Sequence, residues 1–196
     1  QVWLAGYDTA TASLVVFSST DSGATWTSAT VDETSADVGR YVSLDLYPDD
    51  PVTPTAYYPV VAYRDTANQI LKLAYWDGSA WTLRIVDETG NVGDYADLDV
   101  DADGGAHISY FDGNSGDLKY AYASAVDGGF STQVAVSAGI AGFYTALAAD
   151  AAGTPHIVFY DFSSNSMVYT YWDGAAWPTY RIPEKDAFSW PGTITG

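Results

Sequence analysis

Three aspartates set two residues apart carry the clearest chemical pattern in the chain: Asp99-Val100-Asp101-Ala102-Asp103-Gly104. Alternation at that spacing aims several hard oxygen donors at one point, and the closing glycine lets the chain turn, as at the start of many calcium loops. No acid follows until Asp112, and the related turns at 45–50 and 150–153 do not repeat the pattern. The run therefore reads as a calcium site, the one cofactor expected, or as a plain hairpin turn. The two histidines, His107 and His156, share one column of an internal repeat with Trp3 and Val60, so imidazole chemistry is not required there. They read as strand residues with hydrogen-bonded rings. The absence of Cys rules out a thiol nucleophile and disulfides, and no Gly-x-Ser-x-Gly elbow, phosphate-binding loop or His-Glu-x-x-His is found. Paired carboxylates for glycoside hydrolysis remain open, because the test is a separation in space. No catalytic residue is assigned.

The elements that must position these groups repeat four times. Asp8, Asp65, Asp112 and Asp161 are each followed six residues later by Leu14, Leu71, Leu118 or Met167. Sixteen or eighteen residues after each Asp stands Trp26, Trp81, Phe130 or Trp177, and five beyond that Val31, Val86, Ala135 or Ile182. A small residue follows at Gly39, Gly93, Gly142 or Ser189, and five residues later Leu44, Leu98, Leu147 or Ile194. Segments such as Leu71-Lys72-Leu73-Ala74-Tyr75 alternate apolar and polar residues between Gly, Asn, Asp and Ser clusters, which marks strands. The period suits four-stranded propeller blades. The expectation is an all-β, single-domain, four-bladed β-propeller with blades at 190–195 plus 1–32, 40–87, 94–136 and 143–182. Strand 190–195 would close the ring on the N-terminal blade and leave no free sheet edge. The alternative is an arc of a larger propeller, or one half of an eight-bladed ring.

One segment carries a family motif. Ser19-Thr20-Asp21-Ser22-Gly23-Ala24-Thr25-Trp26 matches S-x-D-x-G-x-T-W, with Ser19, Asp21, Gly23 and Trp26 at its marked positions. It resembles the Asp-box, or BNR repeat, of sialidase-like propellers. Trp76-Asp77-Gly78-Ser79-Ala80-Trp81 and Trp172-Asp173-Gly174-Ala175-Ala176-Trp177 keep D-G-x-x-W, and Asp127-Gly128-Gly129-Phe130 keeps less. The resemblance implies a structural hairpin between the third and fourth strands of a blade, with the Trp packed inward. It does not bring sialidase chemistry, which needs three arginines converging on the substrate carboxylate. Of Arg40, Arg64, Arg84 and Arg181, only the first two are expected near one another.

With 25 Asp and Glu against 7 Lys and Arg, the formal charge is -18, which opposes nucleic acid and anionic lipid as partners. No run of 18 apolar residues exists, so membrane insertion is not expected. The chain opens on Gln without a signal-peptide pattern, as a mature product or an excerpt of a longer protein would. This composition fits a secreted or cell-surface protein. Propeller geometry brings Tyr41, Tyr95, Tyr144 and Trp190 to one face beside Asp94 and the acids at 32–37, 87–88 and 184–186. Rings that stack on a pyranose, next to carboxylates that accept its hydroxyl hydrogen bonds, suit carbohydrate. The same residues could instead line a channel. The functional expectation is a non-catalytic binding or adhesion module, with a glycan or other extracellular ligand as partner. The alternatives are a filament subunit that self-associates by strand exchange and, less favoured, a glycoside-processing domain.

Overall fold

The computed structural model describes residues 1–183, so the strand expected at 190–195, together with Trp190, lies outside the described residues. Four antiparallel sheets follow one another along the chain. Sheet one holds β1 (Val2–Asp8), β2 (Ser13–Ser19) and β3 (Thr27–Asp32). Sheet two holds β4 (Val38–Pro48), β5 (Tyr57–Asp65), β6 (Ile70–Trp76) and β7 (Trp81–Asp87). Sheet three holds β8 (Val92–Val100), β9 (Ala106–Asp112), β10 (Asp117–Ala123) and β11 (Ser131–Val136). Sheet four holds β12 (Phe143–Ala149), β13 (Pro155–Asp161), β14 (Ser166–Tyr171) and β15 (Thr179–Arg181). Every pairing is between neighbours in sequence, as short hairpin loops require. No helix among the described residues is long and apolar enough to cross a membrane.

The sheets stack face to face in chain order, with β4 beside β1, β8 beside β4 and β12 beside β8. Each interface is an apolar layer built from the repeat columns. Leu14 and Val16 of sheet one meet Val61, Tyr63 and Ala74 of sheet two. Leu71 and Leu73 meet Ile108, Tyr110 and Ala121, and Leu118 and Tyr120 meet Ile157 and Phe159. Both faces of a sheet between two others are covered, so Val60, Val61, Ala62 and Tyr63 of β5 are all buried where simple alternation would expose every second residue.

A buried polar triad recurs in each of the first two interfaces. Lys72 forms an ion pair with Asp32, which also accepts from the Tyr63 hydroxyl at 2.7 Å. One interface on, Lys119 reaches Asp87 at 2.5 Å, and Tyr110 donates to the same oxygen at 2.6 Å. Lys72 and Lys119 also approach the hydroxyls of Thr34 and Thr89 at 3.2 Å. In the third interface the corresponding residues are Val136, Phe159 and Val168, packed in one apolar cluster. All three members of the set changed together, as expected if a charge left alone in such a place is costly. Asp32 and Asp87, which the sequence places among the acids of the ligand face, are therefore interior residues whose charge serves packing between sheets.

Candidate functional site

β4, β8 and β12, the first strands of sheets two, three and four and the inner strands that lie beside one another, open on the same irregular element. Gly39-Arg40-Tyr41, Gly93-Asp94-Tyr95 and Gly142-Phe143-Tyr144 begin β4, β8 and β12, and the ladder slips register at each of them. The glycines have φ of 104°, 96° and 105°, and they lie against the backbone of the preceding sheet's Leu14, Leu71 and Leu118. A Cβ at Gly39 would stand 2.7 Å from the Leu14 Cα, so only glycine fits. Less expected, the three tyrosines also have positive φ: 51°, 55° and 49°. A bulky residue in the left-handed region costs about 1 kcal/mol or more and persists where its surroundings enforce it.

The strain has a geometric result. It turns three rings onto one face in a continuous row, with Tyr41 and Tyr95 centred 5.0 Å apart and Tyr95 and Tyr144 4.7 Å apart. Phe143 and Phe111 support Tyr95 at 5.1 and 6.4 Å. Tyr41 and Tyr144 are exposed and Tyr95 is half-buried between them. The structure thus brings together Tyr41, Tyr95, Tyr144 and Asp94 of the expected ligand residues. Asp94, which precedes Tyr95 in the chain, is paired with the buried Arg64 at 2.8 Å. Arg64 is held in turn by the Val92 carbonyl and Asn91 Oδ1, while its Nε has no partner. Burial raises the Asp94 carboxyl above its usual range, against the lowering effect of Arg64. Burial also pushes Tyr95 up to about 12 and raises Tyr41, so these phenols are neutral hydroxyl donors at physiological pH. At the end of the row, exposed Arg40 is paired with Asp37 at 2.9 Å and lies over the Tyr7 ring, 4.4 Å from its centre.

The other sequence candidates are placed apart from this face. Asp99 accepts from the Ala149 N–H at 2.6 Å, tying β8 to β12. Asp101 closes its own turn by accepting from the Gly105 N–H at 2.7 Å, and its other oxygen lies 3.0 Å from His107 Nε2. Asp103 is exposed, and among the described residues no three acidic or histidine side chains converge as metal ligands. Asp99 serves a neighbouring strand because inner-strand carboxylates recur in that role: Asp45 accepts from Val100 N–H and Asp97 from Leu147 N–H, both at 2.7 Å. His107 is buried with Nδ1 2.6 Å from the Tyr120 hydroxyl, and His156 Nδ1 lies 2.7 Å from that of Tyr169. Arg40 and Arg64 are register partners on β4 and β5, while Arg84 and Arg181 stand on the outer strands β7 and β15.

At the β2–β3 hairpin the motif residues form a self-contained clasp. Asp21 accepts from the Thr25 N–H at 2.8 Å and its hydroxyl at 2.6 Å, Ser19 Oγ accepts from the Gly23 N–H at 2.8 Å, and the Trp26 indole donates to the Gly23 carbonyl at 3.0 Å. Hydrogen bonds from Thr25 and Ser19 hold the Asp21 carboxyl down at about 2. Trp26 differs from the inward packing its motif implies: it is exposed, whereas Trp81 and Trp177 pack on the layer toward the preceding sheet. No described sheet precedes sheet one.

Two groups escaped the sequence reading. The lysine triads are marked by the repeated Val-Asp-Glu-Thr at 31–34 and 86–89 and by Leu-Lys at 71–72 and 118–119. A cleft of about 840 Å³ also lies at the opposite end of the strands, lined by Trp3, Tyr57, Tyr58, Trp76 and Trp81 among others. The Trp-Asp-Gly-x-x-Trp pattern holds two of its rings, Trp76 and Trp81, and Trp81 also packs on the layer between sheets one and two.

No protein-family model and no curated protein sequence matches the chain. Among solved structures, the chain is similar to a leech intramolecular trans-sialidase complexed with 2,7-anhydro-Neu5Ac, with TM-score 0.53 and 18% identity over 88% of this chain. The chain spans 30% of the length of that enzyme, and the likeness is one of fold. A fucose lectin from Kordia zhangzhouensis in complex with methyl-fucoside aligns at TM-score 0.47 and 17% identity, over 73% of this chain and 99% of the lectin.

Proposed function

We propose that the chain is a non-catalytic carbohydrate-binding module, displayed outside the cell, which takes a pyranose on the row Tyr41, Tyr95 and Tyr144. One observation carries this reading: the backbone departs from favourable geometry three times, at equivalent places, and each time the gain is an aromatic ring on the same face. Packing alone does not call for that, since Tyr41 and Tyr144 are exposed. Rings stack on the apolar side of a sugar, and Asp94 and Asp37 beside them can accept from its hydroxyls. The leech enzyme of similar fold holds a sialic-acid derivative, which makes sugar a reasonable ligand class to test. Sialidase chemistry is not part of the reading, because only Arg40 and Arg64 lie at this face, while Arg84 and Arg181 stand on β7 and β15.

A glycan array followed by calorimetry on the hits tests it. Tyr144→Ala is expected to weaken binding at least tenfold with little change in Tm, and Trp76→Ala, in the cleft at the far end, to leave it intact. Absence of glycan binding, or loss with Trp76→Ala alone, would rule out the tyrosine row as the site.

A further inference from the structure

Three times along the run, a forward face of one sheet covers the rear face of the next. At both ends one such face is left uncovered by the described residues. On the rear face of sheet one, Leu4 is 53% exposed, where its equivalents Val61, Ile108 and Ile157 are at 0%. Phe17 and Trp26 are exposed on the same side. On the forward face of sheet four, Met167 is 40% exposed, where Leu14, Leu71 and Leu118 are at 0%, and Ile182 is exposed beside it.

The two free faces match each other in charge and in size. Rear faces of sheets two and three carry Lys72 with Tyr63 and Lys119 with Tyr110, and each needs a forward-face aspartate, Asp32 or Asp87. The free rear face has Val15 and Gly6 in those columns, and the free forward face has Pro183 in the aspartate column. Joined, they leave no lysine of the triad column without its aspartate, and Asp8 on the free rear face is already held by the Ala10 N–H and the Thr11 hydroxyl, whereas sheet four against the rear face of sheet two would strand Lys72. Gly6 also leaves room where the other sheets hold a buried ring. A Cβ there would meet nothing within 4 Å, and a cleft of about 370 Å³ opens between Gly6, Tyr7, Val15 and Phe17. The opposing forward face offers Met167 and Tyr169 where sheet one has Leu14 and Val16.

We propose that the forward face of sheet four docks on the rear face of sheet one of a second copy of this chain, head to tail. Within one chain these faces stand at opposite ends of the run and, among the described residues, do not pack on each other as consecutive sheets do. A contact between unlike faces leaves one of each free, so the association extends into rings or linear arrays. The charge of -18 on each copy opposes it at low ionic strength.

Sedimentation velocity on this chain, across a wide concentration range in well-screening salt, tests the contact. The expected result is a mass that climbs in whole-chain steps. Leu4→Asp and Met167→Asp should each return the monomer, with Phe17→Asp and Ile182→Asp as a second pair and circular dichroism confirming the fold. A mixture of Leu4→Asp with Met167→Asp retains one good face of each kind and should give a two-chain species and nothing larger. A wild-type chain that stays monomeric throughout overturns the proposal, because the faces are then covered from within the chain or not at all. Loss of association with Leu4→Asp but not with Met167→Asp overturns it in favour of a contact between like faces.

Discussion

Removal of one lysine from the triad between sheets two and three should cost far more than removal of the whole triad. Lys119 lies against Asp87, whose carboxylate is buried and also accepts from the Tyr110 hydroxyl and from the Thr89 N–H and hydroxyl. In Lys119→Met the carboxylate stays in place without its cation. Breaking a buried pair in this way typically costs about 3 to 5 kcal/mol, which for a domain of this size lowers Tm by roughly 10 °C. The third interface shows the complete alternative in Val136, Phe159 and Val168. The triple variant Asp87→Val, Tyr110→Phe, Lys119→Val should therefore lie within about 1 kcal/mol of wild type, since an apolar set of similar volume is often neutral or better. Urea unfolding checks both, with unchanged m-values showing that the native states compare. The pH dependence adds a second reading. Burial pushes the Asp87 carboxyl up, but hydrogen bonds from Lys119, Tyr110 and Thr89 outweigh it and hold the group at about 2. A carboxyl lowered on folding contributes stability that is present above its unfolded value near 4 and fades as pH falls toward 2. Wild type should lose that contribution in this window. Lys119→Met has much less of it to lose, so the gap between the two should narrow as pH drops. A single variant costing under about 1 kcal/mol, or a triple variant no more stable than the single, would refute the argument.

Tyr144→Gly should raise stability by up to about 1 kcal/mol, by relieving a positive φ, while abolishing glycan binding; thermal melts and calorimetry on one sample separate the two effects. Gly39→Ala places a Cβ 2.7 Å from the Leu14 Cα in addition to the φ penalty and should cost about 2 kcal/mol or more, read by urea unfolding. With Tyr95 held at about 12, its own ring-carbon NMR shift followed against pH should keep its protonated value through the ordinary phenol range near 10 and change above it. Because Asp99 and Asp101 serve different partners and Asp103 is exposed, millimolar calcium should leave Tm unchanged; a clear rise would mean that the loop rearranges around the ion. Asp21→Ala should speed hydrogen exchange at the Gly23 and Thr25 amides without affecting the sheet cores, since its bonds are confined to the clasp.

Strand content and sheet order were legible because the repeat is written in side chains that every sheet needs. Leu14, Leu71 and Leu118 sit in one column and fill one place in successive interfaces. The tyrosine row was legible for the same reason, since Gly-x-Tyr recurs at a fixed place in the unit. The fate of individual charges was not. Asp32 and Glu33 are adjacent in sequence, yet the first is buried against Lys72 and the second is exposed. No local feature separates them, because the partner is supplied 40 residues later from a different sheet.

The amino-acid sequence by itself determined the all-β class, the repeating unit, the clasp at Asp21 and the candidate face. These follow from alternation, turn chemistry and spacing, which are local. Only the tertiary structure decided which aspartates are interior, that Asp99 is tied to β12, that the three tyrosines occupy strained backbone, and that the described residues leave two apolar faces uncovered at the ends of the run. Each of these depends on how one sheet is stacked on the next, and stacking is set by contacts between residues about one repeat apart.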